Sequence, residues 1–445
     1  MKLAKSLLLG SAAALVATAG ANAADLPSRK AAPVQFVQVC TAYGAGFFTI
    51  PGTDTCVKVG GRVRADYAMS GAKDIYTASA TTVAGIKDAQ NLYGFEARGR
   101  LDLDARTPTA YGTVQAVTSL RIARTGGVLA STSSTSSAGD ASPTLEAAFV
   151  RFAGFTFGVA RDNFSFMPST FYGAGHWSSF ANGAFQLAYT AVLGGGFSAT
   201  IAIQDMSYTT AGAGSGTAYQ PAINSNFDSM PQVNGRIDWD QSWGSISLTA
   251  AAAQAHMVTS ATSVAYDKTK TVWAIGAGAR INLPMLAAGD QLFLTAAYAD
   301  GMTEYTTNWT SFKSSDTRRN VGGYVSNHPS WVPTADGLKT FKSWNVAGIF
   351  THFWVPQWRS AVLASYGEIN SPAAANAAAW GSTAGGFADA KVWNIGKQIA
   401  FLPTRNFEIG VEALYARVQN SNSVTTAVNK SEGNWTGRLR VERTF

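Results

Sequence analysis

The sequence predicts an all-β protein, a transmembrane antiparallel β-barrel of about 16 strands. Two observations predict this fold. The connections between strand-like segments alternate between short and long, and the segments themselves alternate between apolar and polar residues. Bacterial outer-membrane barrels have this layout, with short periplasmic turns and long extracellular loops. Seven short and eight long connections describe an even number of strands with both chain ends on the turn side.

The connections differ clearly in length. The short, turn-like ones are Thr107–Gly112, Ala153–Gly154, Gly194–Gly196, Asp240–Gly244, Pro284–Asp290, Pro356–Gln357 and Pro403–Asn406. The long ones are polar and lie around residues 68–91, 124–144, 162–183, 205–231, 256–270, 300–342, 367–390 and 418–434. This order of connections is that of an antiparallel meander.

The alternation within a strand is clearest in Leu92–Arg106. One parity is apolar or small: Phe95, Ala97, Gly99, Leu101, Leu103 and Ala105. The other parity is charged: Glu96, Arg98, Arg100, Asp102, Asp104 and Arg106. Successive side chains of a strand point to opposite faces. Because a charge at the bilayer midplane on the lipid face costs ~2–4 kcal/mol, lipid on one face and water on the other would produce this pattern.

The composition agrees with a barrel of this kind. The chain has 445 residues, of which 14% are charged, well below the ~25% of ordinary soluble domains. Mean hydropathy is nevertheless only +0.02. After the N-terminal leader there is no run of eighteen apolar residues, so helical membrane spans, which need ~20, are excluded. No compositional break divides the chain into smaller domains.

The first residues predict an export signal, which together with the barrel pattern predicts a location in the bacterial outer membrane. Lys2 and Lys5 form the positive end, Leu7–Thr18 is apolar, and Ala21–Ala23 is a small-residue cleavage site. We therefore expect residues 1–23 to be a cleaved signal peptide. An N-terminal membrane anchor is the poorer alternative, because the apolar stretch is too short.

The two cysteines of the chain, Cys40 and Cys56, lie in an N-terminal segment, residues 24–56, that precedes the barrel over residues 57–445. In an exported protein we expect them to form a structural disulfide in the oxidising periplasm. A metal site is the alternative, but no histidine lies near them in the sequence. We predict neither a metal nor a cofactor.

The chain ends on Phe445, at the end of the strand-like segment Trp435–Phe445. Outer-membrane proteins commonly end on an aromatic residue that the barrel-assembly machinery recognises, and Phe445 is similar to that signal. Tryptophan and tyrosine elsewhere lie mostly near strand ends, which is typical of the aromatic girdles at the two membrane interfaces. Packing in the core of a soluble sandwich is the alternative.

The third long connection, residues 162–183, is unusually aromatic for a segment exposed to water. It contains Phe164, Phe166, Phe171, Tyr172, Trp177 and Phe180. We expect it to fold into the barrel and narrow the bore. The alternative is an extracellular loop packed on a neighbouring loop or subunit.

The lumen-facing parity predicts a charged pore wall, since arginines and acids recur on it in several strands. Opposed charges that line a water-filled bore orient and select polar solutes, but they also hold the wall together as ion pairs. The candidate constriction residues are Asp162, His176, Arg62, Arg64, Arg98 and Arg100. The excess of basic residues favours a mild anion preference.

An enzyme and a nucleic-acid binder are both poorly supported. None of the four histidines, His176, His256, His328 and His352, has a nearby Ser, Asp or Glu at a recognisable motif spacing, although the partners of a triad need not be close in sequence. The formal net charge of +7 is scattered, without a Lys/Arg-rich stripe for nucleic acid.

Three segments resemble the α-proteobacterial porins of the Brucella and Rhizobium type. They are the leader Lys5–Ala14, the cysteine-bracketed block Val37–Cys56 continuing to Arg64, and, less specifically, the closing strand Trp435–Phe445. The resemblance implies a sixteen-stranded homotrimeric porin in outer-membrane lipid, through which small hydrophilic solutes diffuse passively. Between these segments the match is one of pattern, because the loops have their own lengths and compositions.

We therefore expect a passive outer-membrane diffusion channel that is not an enzyme. A substrate-specific channel for sugars or anions is the main alternative, since aromatic residues of the third loop could form a stacking surface for solutes. An outer-membrane barrel hydrolase and a soluble exported β-sheet binder are further alternatives. The second would fractionate with the periplasm and would need no detergent.

Overall fold

The structure is a computed structural model that describes residues 38–70, 93–127, 129, 142–166, 171–172, 183–205, 230–258, 267–306, 331–334, 337–372, 389–420 and 431–445. The predicted signal peptide lies outside these residues and stays a prediction. The chain divides into two compact units, Met1–Cys56 and Val57–Phe445. Among the described residues, no helix is long and apolar enough to cross a membrane.

The first unit is held by the predicted disulfide. Two short strands, Gln38–Val39 and Phe47–Thr49, pair antiparallel around a single 3-10 turn. Cys40 is bonded to Cys56 with 6.0 Å between their Cα atoms. Both cysteines are buried together with Phe47. The disulfide predicted from the sequence is thus confirmed, and the described residues contain no free cysteine.

Sixteen strands form the barrel. They are β1 (Cys56–Ser70), β2 (Tyr93–Thr109), β3 (Gly112–Gly127), β4 (Ser142–Phe152), β5 (Phe155–Arg161), β6 (Gly183–Gly194), β7 (Phe197–Gln204), β8 (Gln232–Gln241), β9 (Gly244–Val258), β10 (Asp267–Asn282), β11 (Gln291–Asp300), β12 (Lys342–Val355), β13 (Trp358–Asn370), β14 (Ala390–Thr404), β15 (Phe407–Asn420) and β16 (Ser431–Thr444). Two further short strands, Trp331–Thr334 and Gly337–Thr340, pair with each other between β11 and β12.

Each barrel strand pairs antiparallel with the next, and the last pairs with the first. At the closing seam Thr444 lies opposite Arg62. The backbone N–H groups of Gly61 and Phe445 each donate to the carbonyl of the other at 3.0 Å. A Cβ on Gly61 would overlap the carbonyl of Arg100, which explains the glycine at this position. The predicted closed barrel of sixteen strands is confirmed.

The predicted alternation of connections is also confirmed. The seven short connections leave two residues between strands, or eight between β10 and β11, whereas each long connection begins and ends at the opposite barrel end. Gly154 and Gly244 show why the turns contain glycine: their φ angles are 86° and 149°, and a Cβ on either would overlap neighbouring backbone.

The two faces of the strands differ as the sequence predicted. Apolar side chains of the predicted lipid parity are exposed outside, for example Val63 at 61%, Ile201 at 59% and Leu248 at 56%. Aromatic side chains form cross-strand contacts on this face at both ends of the strands. Examples are Trp393–Tyr415 and Tyr415–Trp435 at the loop end, with Phe197–Trp239 and Trp358–Phe401 at the turn end. The opposite parity faces the lumen.

Lys397 breaks the apolar pattern of the outer face. It is exposed and lies between Val362 and Ala413 on the neighbouring strands. Trp393 precedes it by four residues and Phe401 follows it by four, both on the same face. Lys397 is therefore midway between the two aromatic ends of the wall, where a charge is most costly in lipid.

We expect the substitution Lys397→Leu to raise the free energy of unfolding by ~2–4 kcal/mol, because it removes a charge from the middle of the lipid-facing belt. Urea unfolding in lipid vesicles, followed by the gel shift between folded and boiled protein, measures this. Lys391→Leu is the matched control, since Lys391 is near the loop end, 58% exposed and 3.4 Å from Glu368. An unchanged midpoint for Lys397→Leu would contradict lipid contact at this position.

Candidate pore site

The charged part of the inner wall lies on β16 and β1 to β4. Inward-facing residues there are Arg438, Arg440 and Glu442, then Arg62, Arg64 and Asp66, then the charged parity of β2, and Arg121 with Glu146. The opposing strand registers bring these residues side by side, because inward positions face one another across each pair. The sequence parity therefore identified this wall correctly.

A buried ion-pair group lies at the barrel seam. Arg440 binds Asp66 with two hydrogen bonds, at 2.7 and 2.8 Å, the fork geometry that strengthens arginine–carboxylate pairs. Arg64 is 3.9 Å from the same carboxylate and 3.7 Å from Glu96. The side chains of Asp66, Arg64 and Arg440 are only 2%, 8% and 10% exposed. This group holds the wall together beneath the bore surface.

A second set of pairs is more accessible. Arg100 is 2.7 Å from Asp102 and 3.3 Å from Glu146, and Arg121 also reaches Glu146, at 3.2 Å. Arg100 and Arg121 are 29% and 31% exposed. Ser119 donates a hydrogen bond to Asp102 at 2.5 Å, which fixes the carboxylate between the strands. These charges are in contact with the lumen.

The six candidate constriction residues separate into different environments. Arg62 and Arg100 are each 29% exposed to the lumen, Arg98 is 19% exposed and paired with Glu96, and Arg64 is buried behind them. His176 lies outside the described residues, so its role stays a prediction. No described ion pair joins Asp162 to any of these four arginines.

Asp162 is buried and engaged in its own turn. Its carboxylate accepts hydrogen bonds from the backbone N–H of Phe164 at 2.7 Å, from that of Ser165 at 3.1 Å, and from the Ser165 hydroxyl at 2.5 Å. Burial raises the pKa of this carboxyl above its ordinary value, although the hydrogen bonds favour the ionised form. The contacts are those of an anchor at the start of the third loop.

From this anchor the described part of the loop follows one side of the lumen. Phe164 and Phe166 lie over Gly276 and Gly278 of β10: a Cβ on Gly278 would overlap the Phe166 ring, and one on Gly276 would be 3.1 Å from the Phe164 ring. Arg236 of β8 donates to the carbonyl of Ser165 at 3.1 Å. The glycines on the lumen face are thus the sites at which the loop approaches the wall closely.

Tyr172 contacts a different part of the wall, on β15 and β16. Its N–H donates to Glu412 at 2.6 Å, and its hydroxyl donates to Glu408. Its carbonyl accepts a hydrogen bond from Arg438 at 2.8 Å, while the guanidinium of Arg440 lies 4.4 Å from its ring centroid. Burial and the nearby Glu408 raise the pKa of the Tyr172 hydroxyl, which therefore stays a donor.

The sequence analysis did not single out Glu408 and Glu412. Period-two parity would have placed both on the lumen face of β15, beside the arginines of β16. Their pairing with Tyr172, more than 230 residues away, carries no local signal. Phe171, next to Tyr172, is buried against Leu363 and Leu414.

Only one of the four histidines has a described side-chain environment. The Nδ1 of His352 is 2.6 Å from Asp290, whose other oxygen accepts the N–H of Phe353 at 2.8 Å. His352 also packs edge-on against Trp354 on the outer face. This pair connects the β10–β11 turn to β12, away from the charged lumen wall.

Comparison with known proteins agrees with this architecture. The sequence profile described as "Porin subfamily" matches residues 25–438. This chain is a member of that porin family. Porin Omp2b of Brucella canis is 31% identical over 350 residues, covering 74% of this porin and 86% of the relative, and Porin Omp2b of Brucella abortus is 30% identical over the same shares. The α-proteobacterial family predicted by resemblance is confirmed.

Solved structures share the fold of this porin. The outer membrane channel DcaP of Acinetobacter baumannii has a TM-score of 0.60 at 16% identity, covering 89% of this chain and 99% of that one. The outer membrane protein OmpT of Vibrio cholerae, in its trimer form, has a TM-score of 0.50 at 9% identity, covering 88% and 99%. The porin is a channel for small solutes in the bacterial outer membrane.

We expect Asp66→Ala to lower the free energy of unfolding by ~3–5 kcal/mol, because it leaves Arg440 and Arg64 buried without their shared carboxylate. Urea unfolding of the purified porin measures the loss. Asp104→Ala is the control: Asp104 binds Arg106 at 2.8 Å, but the two are 22% and 31% exposed, so its loss should cost at most ~1 kcal/mol. Equal, small losses in both variants would contradict a structural role for the seam pair.

Proposed function

We propose that this porin is a passive, water-filled channel whose bore is narrowed by the third loop, residues 162–183. The observation that carries the proposal is the position of the loop's described residues. Phe164 lies against β10, and Tyr172 is bound to β15 and β16. A loop held at both places lies inside the barrel, so it reduces the cross-section available to solutes. No cofactor is needed, since the solute gradient drives the flux.

The paired charges of the wall favour weak ion selectivity. Arg62, Arg64, Arg98 and Arg100 each have an acidic partner within 4.0 Å. Opposed charges in close contact largely cancel each other at a distance, so they leave little net potential in the bore. The pairing of these arginines with acids therefore reduces the small anion preference that the excess of basic residues would produce.

The contacts of the aromatic residues favour a general channel over a solute-stacking surface. Phe164 and Phe171 are 2% and 8% exposed, and Tyr172 is 9% exposed. Rings seated against the wall present little of their faces to a passing sugar. A substrate-specific channel remains the second candidate, and saturable flux would identify it. We propose no catalytic activity.

We propose a homotrimer in outer-membrane lipid, with Phe445 as the signal for the barrel-assembly machinery. The porin family and the trimeric form of the structurally similar OmpT support the trimer. The terminal Phe445 ring is 61% exposed and lies on the outer parity of the closing strand, where an assembly factor can reach it.

Conductance in a planar bilayer tests the channel and its selectivity together. We expect discrete steps and a reversal potential near zero under a salt gradient. In Arg100→Ala, Asp102 loses its arginine and Glu146 keeps only Arg121, so the reversal potential should move towards cation selectivity. Arg405→Ala, at an exposed turn, removes the same charge and should change the potential less. Inserted protein that passes no current would refute the channel.

Tyr172 tests the constriction itself. We expect Tyr172→Ala to give larger and noisier single-channel steps, because the loop loses its ring contact with Arg440 and its bond to Glu408. Tyr172→Phe keeps the ring and both backbone hydrogen bonds, so its steps should stay close to those of the unmodified porin. Identical steps in all three proteins would argue against a constriction anchored at Tyr172.

A further inference from the structure

A second connection also places described residues in the lumen. Residues 301–306 follow β11, and residues 337–341 precede β12. Among them Met302, Tyr305 and Phe341 are 0% exposed, and Leu338 is 6% exposed. Large apolar side chains of an extracellular loop would not be completely buried if they remained in the water above the barrel. They are packed against the barrel wall.

The wall that receives them is built from small residues. The inward parity of β9, β10 and β11 carries Ala251, Ala253, Ala255, Val272, Ala274, Ala297 and Ala299, all at most 7% exposed. These residues form one apolar cluster with Met302, Tyr305, Leu338 and Phe164. Alanine on a lumen face leaves space beside the wall, and here that space is filled by aromatic and aliphatic side chains from two loops.

Polar bonds fix the ends of this second segment to the inner wall. Asn345 of β12 donates to the carbonyl of Thr306 at 2.5 Å, and the Thr306 hydroxyl bonds Ser343. Lys270 of β10 donates to Thr340 at 3.0 Å. The segment is therefore attached to β10 and β12, the two strands that flank β11.

Tyr305 joins this segment to the third loop. Its ring centroid is 4.1 Å from that of Phe164, and the two rings are tilted by 33°. The hydroxyl of Tyr305 accepts a hydrogen bond from Gln232 of β8, which belongs to a buried amide network with Gln204 and Asn234. The tyrosine thus contacts the third loop and the wall at the same time.

The opposite inner wall is much more open. Arg100, Asp102 and Arg121 are 29–36% exposed, whereas the alanine wall is almost completely covered. The contrast means that water reaches the exposed charges of β2 to β4 and is kept away from the lumen face of β9 to β11.

We propose that residues 301–306 and 337–341 form a second inward segment, which is joined to the third loop through Tyr305. This segment covers the β9–β11 wall and confines the solute path to the charged wall of β1 to β4. This inference rests on the proposed function, because it concerns the shape of that same bore. Tyr305 is a positioning residue: it sets the place of Phe164, and through Phe164 that of the third loop.

Single-channel recording of Tyr305→Ala tests the proposal. We expect a larger conductance than in the unmodified porin, and permeation by larger neutral sugars, because the ring that joins the two loops and holds Phe164 in place is removed. Tyr305→Phe keeps the contact with Phe164 and should retain the original conductance. Tyr111→Ala removes a tyrosine that is 85% exposed at a turn and should change neither property.

A labelling experiment gives a second readout, independent of current. Both natural cysteines form the disulfide, so an introduced cysteine provides the only free thiol. Ala253→Cys, at a position that is 0% exposed, should resist a water-soluble thiol reagent, and should react once Tyr305→Ala is added. Gln115→Cys, on the open wall, should react in either background. The gel shift between folded and boiled protein confirms that each variant is a barrel.

The outcomes separate this inference from the proposed function. An unmodified porin without conductance would refute the channel itself. The second inward segment would be overturned, and the channel left intact, by two results in a conducting porin. Folded Tyr305→Ala would keep the original conductance, and Ala253→Cys would stay unreactive when combined with Tyr305→Ala. If Tyr305→Ala does not fold, Phe164→Leu removes the same ring contact from the other loop, and the same two results then decide.

Discussion

A strand that crosses the hydrocarbon layer finds no water for its backbone groups, so every N–H and C=O must be paired within the protein. Closure of the sheet satisfies this requirement, and here it depends on the register that places Thr444 opposite Arg62 and Gly61 opposite Phe445. A shift by one residue at this seam would exchange the inner and outer faces of a strand. The buried pair between Arg440 and Asp66 crosses the same seam, so it adds a side-chain preference for the correct register.

Once the barrel is closed, its two faces follow opposite rules. The outer face accepts apolar side chains, and Lys397 is a costly exception within it. The inner face must satisfy charges or cover apolar surface, and this porin does both on different strands. β1 to β4 carry arginines matched with acids, whereas β9 to β11 carry alanine and glycine that are covered by loop residues. The division explains why the lumen wall is polar in one region and apolar in another.

Strand parity, connection lengths and the disulfide were predictable from the sequence because each is encoded within a few residues. Leu92–Arg106 shows its two faces directly, and Cys40 with Cys56 are close in the chain. The candidate site was predictable only as a set of inward charges. That Arg64 is buried and Arg100 is exposed depends on neighbouring strands, and the local role of Asp162 depends on the turn that it closes. The contact of Tyr172 with Glu412 joins segments 240 residues apart, for which no periodicity exists.

The glycines and alanines of the lumen wall connect the local strand sequence with the long-range packing of the loops. In a strand that is considered alone, Gly276 and Gly278 weaken the sheet and have no evident use. Beside the third loop they are the positions at which Phe164 and Phe166 approach the backbone. Small residues on an inner strand face, opposite an aromatic-rich loop, therefore indicate where that loop packs. Because the same strands leave few charges on their lumen face, the location of the packed loops and the location of the charged solute path are two consequences of one sequence pattern.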